Sequence, residues 1–188
     1  MTLWLVRHAQ PLVAPGVCYG ALDVPADDMA TQEAAEALAL ALPSGIQIIS
    51  SPLQRCEQFM QCLRGLRADL TGKIDARLVE MNFGTWEGQR WDAIPRQELD
   101  AWTEAFETWA CGGGESVRDV MQRVAAAWEE AQAHFQVTGQ HTVWITHAGV
   151  IRAAGLIANG VRRVTLASHW PQDAPAFGQW TCVSMGRV

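Results

Sequence analysis

The chain has little with which to hold a polyanion or a membrane. Acidic residues outnumber basic ones, 20 against 14, for a net charge of −6. That balance argues against nucleic acid and anionic lipid as partners, so an anionic ligand must meet a local cluster of positive groups. No apolar stretch approaches the roughly 20 residues of a membrane span. The opening segment MTLWLVR has too short an apolar part, and no basic segment ahead of it, to read as a signal peptide. A cytoplasmic protein is expected. The five cysteines, Cys18, Cys56, Cys62, Cys111 and Cys182, are scattered and form no C-x-x-C pair or Cys/His zinc spacing. Free thiols in a reducing compartment follow. No cysteine has an arginine six positions on, which excludes the cysteine-phosphatase loop. The P-loop, D-x-D-x-T, H-x-H and H-E-x-x-H patterns are also missing, and no metal or cofactor is expected. Tyrosine is scarce: there is one, against nine tryptophans. Most of those tryptophans belong in a core, with a few free to face a flat ligand.

What remains is an ordinary globular composition, 49% hydrophobic and 18% charged over 188 residues, enough for a single domain spanning 1–188. Short apolar segments alternate with helical ones. Strands are expected at 2–6, 46–49, 73–76 and 142–146, with one or two more near 163–167 and 177–184. Helices are expected at 30–42, from Ser50-Ser51-Pro52 to about Arg67, at 97–110, from Ser116 to Gln136, and at 149–158. Ser51 and Pro52 suit a helix start, and Ser116 with Asp119 suits an N-cap. The glycines at 112–114 read as the end of one helix before the next begins. Such alternation predicts an α/β layer structure with a mainly parallel sheet, and a helical insert over one end of it near residues 77–115.

In open α/β sheets ligands sit beyond the carboxyl ends of the strands. Three strand ends here carry reactive groups. Arg7 and His8 follow the first, Ser50 and Ser51 with Arg55 follow the second, and His147, Ala148 and Gly149 follow the strand at 142–146. If these strands are parallel neighbours, two imidazoles, two guanidiniums and the N–H groups of a helix start converge on one place. Such a cluster would hold an oxyanion, and phosphate is the best match. A lone histidine at a strand end is more often structural; His134 and His141 are left as such, and His169 undecided.

Residues 5–9 (LVRHA), 51–56 (SPLQRC) and 146–149 (THAG) together resemble the histidine phosphatase, or phosphoglycerate mutase-like, superfamily. The resemblance implies a three-layer α/β/α sandwich and metal-free chemistry through a phosphohistidine. It makes His8 the nucleophile, Arg7 and Arg55 the phosphoryl ligands, His147 a second histidine donating to the phosphate, and Glu80, in LVEMNFG, the acid. Each role has a physical basis. A neutral imidazole is a good nucleophile near pH 7, provided its other nitrogen donates to an acceptor such as a backbone carbonyl. Fixed cations stabilise the charge on the transferring phosphoryl oxygens. A carboxyl group can protonate the leaving alkoxide and then activate water.

Residues 16–25 (GVCYGALDVP) and 78–95 (LVEMNFGTWEGQRWDAIP), followed by LDAW and GGES, are similar to segments of α-ribazole phosphatases. This likeness implies hydrolysis of α-ribazole 5′-phosphate or adenosylcobalamin 5′-phosphate in cobalamin biosynthesis. Tyr19, Gly20, Trp86 and Trp91 then become candidates to contact a flat ring, though the two tryptophans could equally pack the insert against the sheet. Another small phosphate ester, a nucleotide or a sugar phosphate, is the alternative substrate. A catalytically silent relative that binds a phosphorylated ligand is the alternative class. The sequence also departs from the superfamily pattern. Ala9 stands where glycine is usual, and Ala14 where mutase-like members carry asparagine, which leaves one phosphate donor unaccounted for.

Overall fold

A computed structural model of the chain describes residues 2–185. Five strands form one sheet. They are β1 (Thr2–Arg7), β2 (Gln47–Ser50), β3 (Thr71–Ile74), β4 (Thr142–Thr146) and β5 (Trp180–Ser184), in the spatial order β3-β2-β4-β1-β5. The first four strands along that row run parallel, and only β5 runs antiparallel, against β1. Alternating side chains leave the sheet on opposite faces, as the two-residue period of a strand requires. Leu3, Leu5 and Trp144 enter one core, while Val6, Val143 and Ile145 enter the other.

The second core is closed by α1 (Asp28–Ala41) and α2 (Gln54–Leu66) through Leu38, Phe59 and Leu63. The first is closed by α4 (Val117–Thr138), α5 (Ala148–Ala158) and the insert that carries α3 (Arg96–Glu104). The result is the expected three-layer α/β/α arrangement. Helix α4 begins as Ser116 foretold. The Ser116 hydroxyl accepts from the Asp119 amide, the Asp119 carboxylate accepts from the Ser116 amide, and Gly139 ends the helix in a left-handed conformation at φ 71°. No helix among the described residues is long and apolar enough to cross a membrane.

Several boundaries differ from the sequence expectation. Helix α2 starts at Gln54 and has no side-chain cap. Ser51 instead keeps its chain extended off β2, and its side chain turns to the site described below. Strand β3 lies two residues earlier than expected. Helix α3 stops at Glu104, so the insert is one short helix among 3-10 turns rather than a helical unit. The glycines at 112–114 therefore do not end a long helix. They let two backbones touch, since a Cβ on Gly112 would come within 2.7 Å of the Thr85 amide and one on Gly114 within 2.6 Å of the Gly84 amide. Residues 163–167 form no strand. Val164 plugs the core, while Arg162 and Arg163 reach out to Glu129 and Glu107.

Candidate active site

Parallel pairing brings the ends of β1, β2 and β4 side by side. The His8 amide donates to the Thr146 carbonyl at 3.1 Å and the Ser51 amide to the Ile145 carbonyl at 3.0 Å. His8 and His147 thereby meet, with ring centroids 5.1 Å apart. Both are buried.

His8 Nδ1 lies 2.7 Å from the carbonyl oxygen of Ala9. A carbonyl can only accept, so Nδ1 carries the proton and Nε2 keeps its lone pair. Burial first, then Arg55, push the His8 pKa down to about 3; the hydrogen bond to the Ala9 carbonyl opposes them in part, and Arg7 adds a smaller downward push. The imidazole is therefore neutral near pH 7. Ala9 is accommodated without strain, because no non-glycine residue has a positive φ among those described. Arg7 lies against the ring of Phe177, 3.9 Å from its centroid, and donates to the Pro175 carbonyl at 3.0 Å. Its buried Nε has no hydrogen-bond partner among the described residues.

Arg55 is fully buried. It donates to the Gly20 carbonyl at 2.6 Å, to the Leu22 carbonyl at 2.9 Å and from Nε to His147 Nδ1 at 3.3 Å. His147 in turn donates from Nε2 to Ser51 Oγ at 2.9 Å. Burial and the surrounding guanidiniums hold its pKa well below the ordinary imidazole value. In this arrangement both nitrogens of His147 are occupied within the protein, so the expected donation to a phosphate requires it to exchange the Arg55 contact for a proton.

Glu80 sits at the N-terminus of α5. One carboxylate oxygen accepts from the Gly149 amide at 2.9 Å and the other from the Met81 amide at 3.0 Å. The helix start was expected to cradle the ligand anion; Gly149 holds the acid there instead. A Cβ at position 149 would collide with the Glu80 carboxylate.

Tyr19 covers Arg55, with 5.5 Å between ring centroid and guanidinium carbon. Gly20 is needed for close approach, since a Cβ there would strike the Met81 carbonyl and lie 2.7 Å from the Phe83 ring. Trp91 lines a cavity of about 340 Å³ that opens beside Glu80 and Gly149. Trp86 does not line it. Trp86 is buried behind Trp91 and Trp102, and its indole N–H donates to Glu98 at 2.6 Å. Of the two tryptophans expected to face a ring, one is on the wall and the other supports it.

Sequence reasoning missed Glu87, although it stands in the quoted WEG segment. Its carboxylate accepts from four backbone amides, those of Gly20 at 2.8 Å, Ala21 at 2.9 Å, Leu22 at 3.0 Å and Phe83 at 2.9 Å. It thereby fixes the loop whose carbonyls hold Arg55. Only a hint was available, an acid between a tryptophan and a glycine; the four amides come from two segments and meet only in the fold.

The profile of the histidine phosphatase superfamily (branch 1) matches residues 3–173. Glucosyl-3-phosphoglycerate phosphatase of Mycobacterium tuberculosis is 32% identical over 194 aligned positions, covering 97% of this chain and 84% of that one. The native structure of the mycobacterial glucosyl-3-phosphoglycerate phosphatase superposes with a TM-score of 0.79 at 27% identity, covering 97% and 89% of the two chains. TTHB049 from Thermus thermophilus superposes with a TM-score of 0.72 at 28% identity, covering 100% and 95%. The first two bear the name glucosyl-3-phosphoglycerate phosphatase, not that of the α-ribazole phosphatases to which residues 16–25 and 78–95 were likened.

Proposed function

The chain belongs to the histidine phosphatase superfamily, branch 1, and on that premise we propose that it hydrolyses phosphomonoesters of small alcohols through a phosphohistidine on His8. The observation that carries this is the His8 ring, neutral, with Nδ1 tied to the Ala9 carbonyl at 2.7 Å and Nε2 left to attack. A solved mycobacterial relative at 28% identity holds inorganic phosphate.

In this mechanism Nε2 of His8 bonds to phosphorus as the ester P–O bond breaks. Arg7 and Arg55 take the phosphoryl oxygens and stabilise their charge in a site withdrawn from water. Glu80 gives its proton to the departing alkoxide; each of its oxygens keeps a lone-pair direction beyond the amide it accepts from. In the second half, water loses a proton to Glu80 and attacks phosphorus, the P–N bond breaks, and inorganic phosphate leaves. His147 gains a proton when the bound anion offsets the nearby guanidiniums, and then donates to it. No metal enters any step.

Two esters have support as the substrate. α-Ribazole 5′-phosphate, or adenosylcobalamin 5′-phosphate, is favoured by the segments at 16–25 and 78–95 and by an aromatic cavity next to Glu80 that suits a planar ring. Glucosyl-3-phosphoglycerate is favoured by the names of the relatives. The deciding experiment measures phosphate release from both, and from 3-phosphoglycerate and a nucleotide, in the presence of EDTA. Turnover of α-ribazole 5′-phosphate at least tenfold more efficient than of the others (about 1.4 kcal/mol) supports the first substrate, and the reverse order supports the second. No release from any ester, with tight binding of one, would make the chain a silent phospho-ligand binder. Loss of turnover in EDTA would refute the metal-free chemistry.

A further inference from the structure

Just before β5 the chain turns at 176–179, and the turn leans on the two residues at the end of β1. The Gln179 amide donates to the Ala176 carbonyl, the Gly178 amide to the His8 carbonyl and the Arg7 amide to the Gln179 carbonyl, each at 3.0 Å. Gly178 has φ 74°, and a Cβ there would stand 2.8 Å from that of Ala34, so the turn needs glycine on both counts. The corner brings the half-buried ring of Phe177 back over the side chains to which its backbone neighbours are bonded. Arg7 Cζ lies 3.9 Å from the ring centroid, and the His8 imidazole 5.5 Å from it at a tilt of 38°. Phe177 does not line the cavity beside Glu80. Arg7 makes no ion pair among the described residues. A carboxylate partner would take up the N–H groups that phosphoryl oxygens need. A ring face attracts the cation through its quadrupole and leaves those groups to an anion.

We propose that Phe177 is a positioning residue: its ring holds the Arg7 guanidinium and the His8 imidazole in register on one phosphorus. The inference rests on the reading of this site as a phosphomonoesterase centre, and adds to it the side chain that aligns nucleophile with donor. In-line attack requires Nε2 of His8 and the Arg7 donors to address the same atom, and a small misplacement of either is costly. The hydrogen bond from His8 Nδ1 to the Ala9 carbonyl restrains the imidazole alone; one rigid ring packed against both side chains ties the two together. Register matters most where bonds to phosphorus are partial. Loss of the ring therefore weakens transition-state binding more than ground-state binding.

Turnover of p-nitrophenyl phosphate and calorimetric binding of inorganic phosphate and orthovanadate, all on the full chain, test this. Orthovanadate can take a fifth ligand and so reports the bonded geometry at His8; inorganic phosphate reports the cations. Phe177→Ala should lower kcat and orthovanadate affinity by at least about tenfold, while KM and phosphate affinity change by less than about threefold. Phe177→Tyr keeps the ring face and should stay near wild type. Phe177→Leu keeps apolar bulk without a π face and should follow the alanine variant. Wild-type constants in Phe177→Leu or Phe177→Ala overturn the proposal, as does an equal loss of phosphate and orthovanadate affinity, which would mean that the ring only supports the loop. In each of these cases wild-type turnover leaves the phosphatase reading standing. A wild-type protein that releases no nitrophenol and binds neither anion refutes that reading, and the role of Phe177 falls with it.

Discussion

Arg55 Nε–H points at Nδ1 of His147 across 3.3 Å. A guanidinium can only donate, so this contact fixes the tautomer: His147 carries its proton on Nε2, facing Ser51 Oγ at 2.9 Å. The second imidazole is thus locked between two residues of the SPLQRC segment, one on each side of the turn into α2. It stands 5.1 Å, ring to ring, from His8 without sharing a proton with it.

His8→Ala removes the only imidazole with a free nitrogen among these two. Turnover of any phosphate ester should fall by at least about a thousandfold. An acid-labile phosphoenzyme seen in the wild-type protein by rapid quench should vanish. Labelling that persists in the variant would assign the nucleophile elsewhere.

Glu80→Gln should slow turnover by roughly 10²–10⁴-fold for alkyl phosphates. The loss should be much smaller for p-nitrophenyl phosphate, whose leaving group needs no proton. Equal losses on both would remove Glu80 from the acid role.

Gly149→Ala removes no reacting group, yet its Cβ would lie 3.1 Å from the Glu80 carboxyl carbon and closer still to one oxygen. The acid must move. The variant should copy the leaving-group dependence of Glu80→Gln with a milder loss, read as kcat on alkyl against nitrophenyl esters. An unchanged ratio would show that the acid tolerates displacement.

Glu87→Gln leaves one oxygen where two served four amides. Each oxygen serves two amides, so two N–H groups, at least one of them part-buried, are then faced by a donor, a cost of roughly 1–3 kcal/mol in stability. With the loop at 20–22 loosened, Arg55 loses its fixed carbonyl partners and KM for phosphate esters should rise more than kcat falls. Chemical denaturation and steady-state kinetics check the two halves separately.

Stability should depend on pH below neutrality. His8 titrates near pH 3 when folded and near 6.5 when unfolded, and His147 is lowered in the same direction. Between these values the unfolded chain binds more protons than the native one, so native stability rises with pH. The slope approaches about 1.4 kcal/mol per pH unit for each histidine. Melting temperature should therefore fall from pH 7 to pH 5, and less steeply in His8→Ala. A flat profile would mean that the two rings are not held neutral by burial.

Much of this was written in the chain order. Apolar segments ending in Arg7-His8, in Ser50-Ser51 and in Thr146-His147 announced strands with chemistry at their carboxyl ends, and the S-P-x-x-R segment announced Arg55. The capping box at Ser116 fixed a helix start to the residue, because that device is local: its donors and acceptors lie within three positions of one another. What the linear order could not supply is every contact made by atoms remote in sequence. Glu87 gathers amides from 20–22 and 83. Gly149 serves a carboxylate 69 positions away. Trp86 and Trp91 differ by five residues and end on opposite sides of a cavity wall. Composition and spacing state which groups are present; only packing, which decides which of two equally apolar rings is enclosed and which faces open space, assigns them to the core or to a ligand.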